Sequence, residues 1–385
     1  MSPKSEGATL SRPAIDLDYL KARLGELLNT PSPTGYTDEA VWLLCRELER
    51  LGLTYELTRR GAIRARLPGR QPKPARAMVA HVDTLGAQVK FVKDNGRLEL
   101  VPIGHWSSRF AEGARATVFS EGGMYRGTIL PLKASGHTFN EEVDTQPVSW
   151  CQVELRIDAV THSAGDTREL GVEIGDIIAI DPQPEFMDSG FIVSRHLDDK
   201  AGVATMLAAL ECMIREERTP TVDTWWLFTI AEEVGHGASS VLVPDVASMV
   251  TIDNGATAPG QNSSEFGVTI AMADQTGPFD WHLSRKLVQL ARDHGIPHQK
   301  DVFRYYRSDS ASALEAGADI RTALVTFGID ASHGYERIHQ SALVDLARLL
   351  IAYAESEVEI ERDRRPLSGI KGFTHQPVDG GDQPE

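Results

Sequence analysis

The sequence predicts a mixed α/β protein: a mostly parallel sheet flanked by helices, with a small β domain inserted. Three observations carry that expectation. Before residue 87 and again after residue 185, short apolar runs of strand type alternate with amphipathic helical stretches, as in sheets crossed over by helices. Between them, long amphipathic helices are lacking, and short β-like runs are separated by Gly, Asn and Asp turns. Acidic or imidazole side chains stand just beyond several of the apolar runs, where open α/β sheets build their sites.

The elements follow in chain order. Ile15, Tyr19, Leu20, Leu24, Leu27 and Leu28 recur at helical spacing. Pro31-Ser32-Pro33-Thr34-Gly35 then ends the helix, because proline lacks the amide hydrogen and clashes inside a helix. A second helix is expected over 38–51, stopped by Gly52, and short strands over 53–58 and 62–67. Ala77-Met78-Val79-Ala80 reads as a strand buried on both faces that delivers His81-Val82-Asp83 at its carboxyl end. The inserted domain, 88–184, holds β-like runs near 88–93, 98–102, 116–120, 127–131, 152–157 and 177–180, with His137 in an exposed loop. After it come a strand over 191–194, a helix over 199–216 and strands over 223–229 and 249–252. A helix over 281–294, a strand near 303–305, a short helix over 309–315, a strand over 321–327 and a helix over 341–355 complete the chain. Residues 13–87 and 185–362 thus form one discontinuous domain, and the polar stretch 363–385 reads as a flexible tail.

With 385 residues, 41% of them hydrophobic, the chain can bury a large core. A net charge of -16 argues against nucleic acid or an anionic membrane as a partner. No run is long and apolar enough to span a bilayer, and residues 1–13 lack the apolar centre of a signal peptide. Cys45, Cys151 and Cys212 are odd in number and far apart, which argues against a disulfide framework or a paired-cysteine zinc site. A cytoplasmic location is the resulting expectation.

Four segments carry acidic or imidazole groups past a strand: His81 with Asp83, Asp198 with Asp199, Glu232 with Glu233, and Asp253. Any one of them alone could simply cap a turn or helix. On a parallel sheet the four ends share an edge, and that many carboxylates repel one another unless positive charge offsets them. A helix N-terminus supplies only about half a charge. Two divalent cations, with carboxylate and imidazole ligands suited to zinc or cobalt, would supply the rest. In Glu232-Glu233, one acid could hold metal while the other stays free as a base. Neighbours on a strand face opposite ways, so Gly235 and Gly237 suggest an irregular turn that brings both inward.

His81-Val82-Asp83, Leu197-Asp198-Asp199-Lys200-Ala201-Gly202, Glu232-Glu233-Val234-Gly235 and Ile252-Asp253 resemble motifs of the dinuclear-zinc aminopeptidases of peptidase family M42, a resemblance covering about residues 15–355. Pro31-Ser32-Pro33-Thr34-Gly35 is similar to an opening motif of that clan, and the β insert, with Pro102-Ile103-Gly104-His105-Trp106, sits where the family carries an extra domain. The insert and Ser332-His333-Gly334-Tyr335-Glu336-Arg337-Ile338-His339 look like family members associated with bacterial synthesis of the osmoprotectant N-acetylglutaminylglutamine amide. The resemblance implies two divalent metal ions, with His81, Asp198 and Asp253 at one. Asp198, as bridge, Glu233 and a late histidine would hold the other. His339 is expected as that histidine, since it precedes an apolar helix containing Val344-Asp345-Leu346; His333 is the neighbour that could take its place. Glu232 would be the general base, and Asp83 would orient His81.

The substrate side departs from the family pattern. The usual Gly-Gly-Thr-Asp-Ala appears as Tyr306-Arg307-Ser308-Asp309-Ser310-Ala311, and Thr84-Leu85-Gly86 follows Asp83 in place of acidic-apolar-Gly. Asp309 and Arg307 are the substrate-binding candidates, and Arg304 or Arg307 could pair a substrate carboxylate. The resemblance implies a homo-oligomeric aminopeptidase acting on short peptides. Its rivals are a hydrolase of the same scaffold that cleaves N-acylated or amidated dipeptides, and a non-catalytic oligomeric binding protein.

Overall fold

The computed structural model describes residues 12–365 and 369–376. Helix Leu17–Asn29 starts at Asp16, whose carboxylate accepts from the Tyr19 amide, and it buries Leu20, Leu24, Leu27 and Leu28. Helix Asp38–Arg50 ends just before Gly52, which adopts φ +73°.

Among the described residues, nine strands form the main sheet. Its centre is four parallel strands in the order Val222–Thr229, Gln71–His81, Val246–Ala256 and Arg321–Ile329. Antiparallel strands extend it on both sides: Ile63–Leu67 and Thr54–Leu57 beyond the first, Val268–Asp274 beyond the last. The central strands are buried over most of their length, which is why they read as unbroken apolar runs. Helix Leu197–Arg215 packs on strands Gln71–His81 and Val246–Ala256 and against helices Leu17–Asn29 and Gln340–Glu355. The result is a mixed α/β fold with a mostly parallel sheet flanked by helices.

Between Gly86 and Ile180, six strands close into a barrel in the order Gly86–Val92, Leu98–Ile103, Val153–Ile157, Gly123–Pro131, Arg115–Ser120 and Ile177–Ile180. Val89, Leu100, Val118, Ile129, Leu155 and Ile178 belong to its own apolar core, distinct from the one beneath the sheet.

Some expectations shift. The sheet also contains Val268–Asp274, and Glu336–His339 is a further strand, too short and polar to stand out in the sequence. The strand expected near 303–305 lies earlier, at His298–Val302. Phe303 instead packs with Ala271, Phe279 and Leu324, so its hydrophobicity reports a small apolar cluster. The strand expected to stop at Ile252 runs on to Ala256 and contains Asp253 and Asn254. His137 is exposed as expected, but on a one-turn helix, Gly136–Phe139. Within the expected tail, Asp363 pairs with Arg321 at 2.7 Å; residues 366–368 and 377–385 lie outside the described residues, as does most of the polar N-terminus. Among the described residues, no helix is long and apolar enough to cross a membrane.

Candidate metal centre

Parallel pairing decides the site. Strand Gln71–His81 ends at His81, strand Val222–Thr229 runs toward the turn of Glu232 and Glu233, and neighbouring Val246–Ala256 carries Asp253 near its carboxyl end. Asp198 joins them from the start of helix Leu197–Arg215, and His333 from the turn before strand Glu336–His339.

Asp198 lies at the middle, 4% exposed. Its Oδ1 is 3.1 Å from His81 Nε2 and its Oδ2 is 3.2 Å from His333 Nε2. Asn254 Nδ2 also donates to Oδ2, at 2.7 Å. Among the described residues, two ligand sets result, each with its donor atoms within 4.8 Å of one another: His81 with Asp198 and Asp253, and Asp198 with Glu233 and His333. Glu233 Oε1 is buried without a hydrogen-bond partner.

His339, the expected late histidine, belongs to neither set, whereas His333 belongs to the second. The His339 ring caps helix Gln340–Glu355, with Nδ1 2.7 Å from Ser341 Oγ and Nε2 3.2 Å from the Ser189 carbonyl, and it packs on Phe191 and Phe266. The unforeseen strand Glu336–His339 pairs with Phe191–Ser194 and carries His339 away from the acids. His333, at φ +65°, stays at the centre. Its Nδ1 donates to the His105 carbonyl of the barrel segment at 2.8 Å, and its amide donates to Glu336 at 2.9 Å.

Asp83 supports the site in two ways. His81 Nδ1 donates to the Asp83 backbone carbonyl at 2.9 Å, whereas the nearer carboxylate oxygen is 3.6 Å away. That carboxylate accepts from Thr34 Oγ1 and from the amides of Glu232 and Glu233 at 2.6, 3.1 and 3.3 Å. It therefore holds the turn that lets both glutamates line the cleft. Asp199 faces elsewhere: its carboxylate accepts from the His81 amide, and a Cβ on Gly202 would fall 2.2 Å from it.

Asp309, expected on the substrate side, is 1% exposed and accepts from Thr229 Oγ1 at 2.6 Å and the Ala238 amide at 2.7 Å. It lines the cleft, and its hydrogen bonds brace the turn at Gly237, where a Cβ would meet Asp309 Oδ1 at 1.9 Å. Arg307 lines the cleft and pairs with Glu315 at 2.7 Å. Asn254, Glu336 and His105 were not foreseen; nothing local marks a buried amide or a backbone acceptor as part of a site.

The electrostatics are those of crowded acids. Burial, reinforced by the charge of Asp198, pushes Glu233 up to about 8 and Asp253 up to about 7. Burial likewise holds Glu232 well above the ordinary glutamate range, with His81 only partly offsetting it. Burial opposes the Asp198 charge too, but hydrogen bonds from His333 and His81 hold its carboxyl below the ordinary range. The cleft beside these groups encloses about 270 Å³ and is lined also by His105, Gln275, Tyr305 and Tyr306. A larger cavity of about 360 Å³, near Arg126, Asp181 and Lys200, contains none of the clustered ligands.

Sheet edge and acid cluster bring together side chains that could hold metal ions, and the comparisons give the class, a hydrolase of the aminopeptidase kind. The chain belongs to peptidase family M42: the family described as M42 glutamyl aminopeptidase matches residues 61–349. The Bacillus subtilis (strain 168) protein named "Putative aminopeptidase YhfE" is 38% identical over 86% of this chain and 96% of its own. Glutamyl aminopeptidase of Lactococcus lactis is 26% identical over 58% of this chain and 56% of its own. An aminopeptidase from the archaeon Desulfurococcus kamchatkensis shares the fold with a TM-score of 0.78, at 22% identity over 88% of this chain and 95% of that one. The TET1 peptidase of Pyrococcus horikoshii, described as assembling into a tetrahedron or a large octahedral shell, superposes with a TM-score of 0.77 at 22% identity, over 88% and 100% of the two chains.

Proposed function

We propose that the chain is a dinuclear aminopeptidase that removes N-terminal residues from short, unblocked peptides. The carrying observation is Asp198, whose two carboxylate oxygens each face a different histidine within a different ligand set. The cluster fits cations. Glu233 Oε1 is buried and unpartnered, and the raised carboxyls mark acids that the protein's own positive groups do not balance. His81, Asp198 and Asp253 would hold one divalent ion, and Asp198, Glu233 and His333 the other. Imidazole and carboxylate donors suit zinc or cobalt. When bound, such ions polarise a peptide carbonyl and acidify the attacking water.

Glu232 is the general base. Its Oε2 lies 3.8 Å from His81 Nε2, it lines the cleft, and it belongs to neither ligand set. As the water oxygen bonds to the carbonyl carbon, Glu232 takes a proton; as the C–N bond breaks, Glu232 returns it to the leaving amine. His81, held by the Asp83 carbonyl, keeps its ring aimed at Asp198 throughout.

The TET relatives' assemblies support a homo-oligomer here as well. The three free cysteines and the acidic total support a cytoplasmic setting. The resemblance of Ser332–His339 to osmoprotectant-associated peptidases supports glutamine-containing dipeptides as substrates.

The test is a panel of free, N-acetylated and amidated dipeptides, glutamine-rich ones included, assayed with zinc- or cobalt-reconstituted enzyme. Hydrolysis of the unblocked members is expected; cleavage confined to blocked members would assign a deacylase or amidase instead. Glu232→Gln is expected to keep its metal and lose activity by about 10²–10⁴-fold, and wild-type turnover in that variant would refute the base assignment.

A further inference from the structure

One polar group in the cleft has no place in that scheme. Tyr306 stands where the resembled motif begins with glycine. Its ring packs on Phe303 at 5.2 Å, and its carbonyl accepts from the Gln275 amide at 3.0 Å, so the side chain is pinned at its base. Its hydroxyl is buried alongside the Asp253 carboxylate, yet makes no hydrogen bond of good geometry. Asp198 and Glu232 are its other charged neighbours, and it lines the same cleft.

A buried hydroxyl without a well-formed hydrogen bond is uncommon and calls for a partner. The nearby carboxylates already have donors. Asp253 Oδ1 accepts from the Asn254 amide and Nδ2 at 2.6 and 3.1 Å, and Asp198 Oδ2 from Asn254 Nδ2 and His333. The proposed cations, when bound, would take their remaining lone pairs. A phenol that only donates at neutral pH, among acids and next to the base, is suited to an oxygen that arrives with substrate and gains negative charge.

We propose that Tyr306 is a further catalytic residue, whose hydroxyl donates to the carbonyl oxygen of the scissile peptide as it becomes an oxyanion. This rests on the aminopeptidase reading. The hydroxyl keeps its proton: water oxygen bonds to carbon, the carbonyl π electrons move to oxygen, and the phenol O–H stabilises that oxygen until C–N cleavage restores the carbonyl. Because the interaction strengthens only as charge develops, it acts on turnover more than on substrate affinity.

Tyr306→Phe keeps the ring against Phe303 and deletes only the donor. In the metal-reconstituted full-length enzyme, kcat on an unblocked dipeptide is expected to fall about 100-fold, with KM and bound metal within twofold of wild type. Calorimetric affinity for a phosphinic dipeptide, a tetrahedral mimic, is expected to fall by a similar factor, while affinity for the product amino acid is unchanged. Wild-type kcat and mimic affinity in the variant overturn the proposal, as does loss of metal, which would make Tyr306 a support for Asp253. A wild-type enzyme inactive on every unblocked peptide overturns the parent reading and this one with it. An active wild type with an equally active variant overturns only the role of Tyr306.

Discussion

Asp198 and Asp199 are neighbours with separate tasks. The peptide bond between them is cis, and neither residue has helical dihedrals. Asp198 faces His81 and His333, while Asp199 accepts from the His81 backbone, and burial and the charge of Asp253 hold its carboxyl well above the ordinary range. At this scale the two late histidines can be separated by experiment. His333→Ala is expected to weaken the binding of one of two cations by at least about tenfold, read as metal per chain after gel filtration. His339→Ala removes a helix cap, so metal content is expected to hold while stability drops by about 1 kcal/mol. The reverse pattern would return the ligand role to His339.

Elements are tied together by similar hubs. Glu47 on helix Asp38–Arg50 is buried and accepts from Tyr19 and Arg23 of helix Leu17–Asn29 and from Arg50 of its own helix, at 2.5, 2.9 and 2.6 Å. Burial opposes its charge, but the hydrogen bonds from Arg50 and Tyr19 and the nearby guanidinium charges prevail and hold its carboxyl below the ordinary value. A carboxyl lowered by folding stabilises the fold above its unfolded value, about 4.3, and that contribution is lost as pH falls through the folded value. Glu47→Gln is therefore expected to destabilise the protein by about 1–2 kcal/mol at pH 7, with the difference shrinking below about pH 4. Urea unfolding of both proteins at the two pH values measures it. A penalty that does not change with pH would show that packing, not charge, carries the contact.

Across the whole molecule, the proposed cations would link the main sheet, helix Leu197–Arg215 and the His333 turn, which itself leans on the barrel segment through His105. Ligands drawn from so many segments couple metal binding to global stability. Chelation is expected to lower Tm by several degrees, and added zinc or cobalt to restore it in scanning calorimetry. A melting curve indifferent to both treatments would remove the metals from the proposed site. The acid cluster points the same way: burial and mutual charge hold several of its carboxyls above their ordinary range, and bound cations would offset that repulsion.

Much of this protein is legible in its sequence because the signals are local. Helical spacing marked Leu17–Asn29, Asp38–Arg50 and Gln340–Glu355, and apolar runs marked the central strands because parallel strands are buried on both faces. Strand-end acids and histidines were visible for the same reason: a strand's carboxyl end is a local feature, and the sheet then lines such ends up. What tertiary structure decided is everything set by pairing between distant segments. The polar strand Glu336–His339 exists because it pairs with Phe191–Ser194, and that pairing holds His339 away from the acids while His333 stays among them. The Asp83 carboxylate holds Glu232 and Glu233 through amides about 150 residues away, and the Asn254 amide reaches Asp198 from a strand that outran its apolar run. Tyr306 looked like a mere departure from a motif until the fold placed its hydroxyl among the acids. Periodicity records which face a residue shows to its own element; which distant atom it meets is set only when the chain closes on itself.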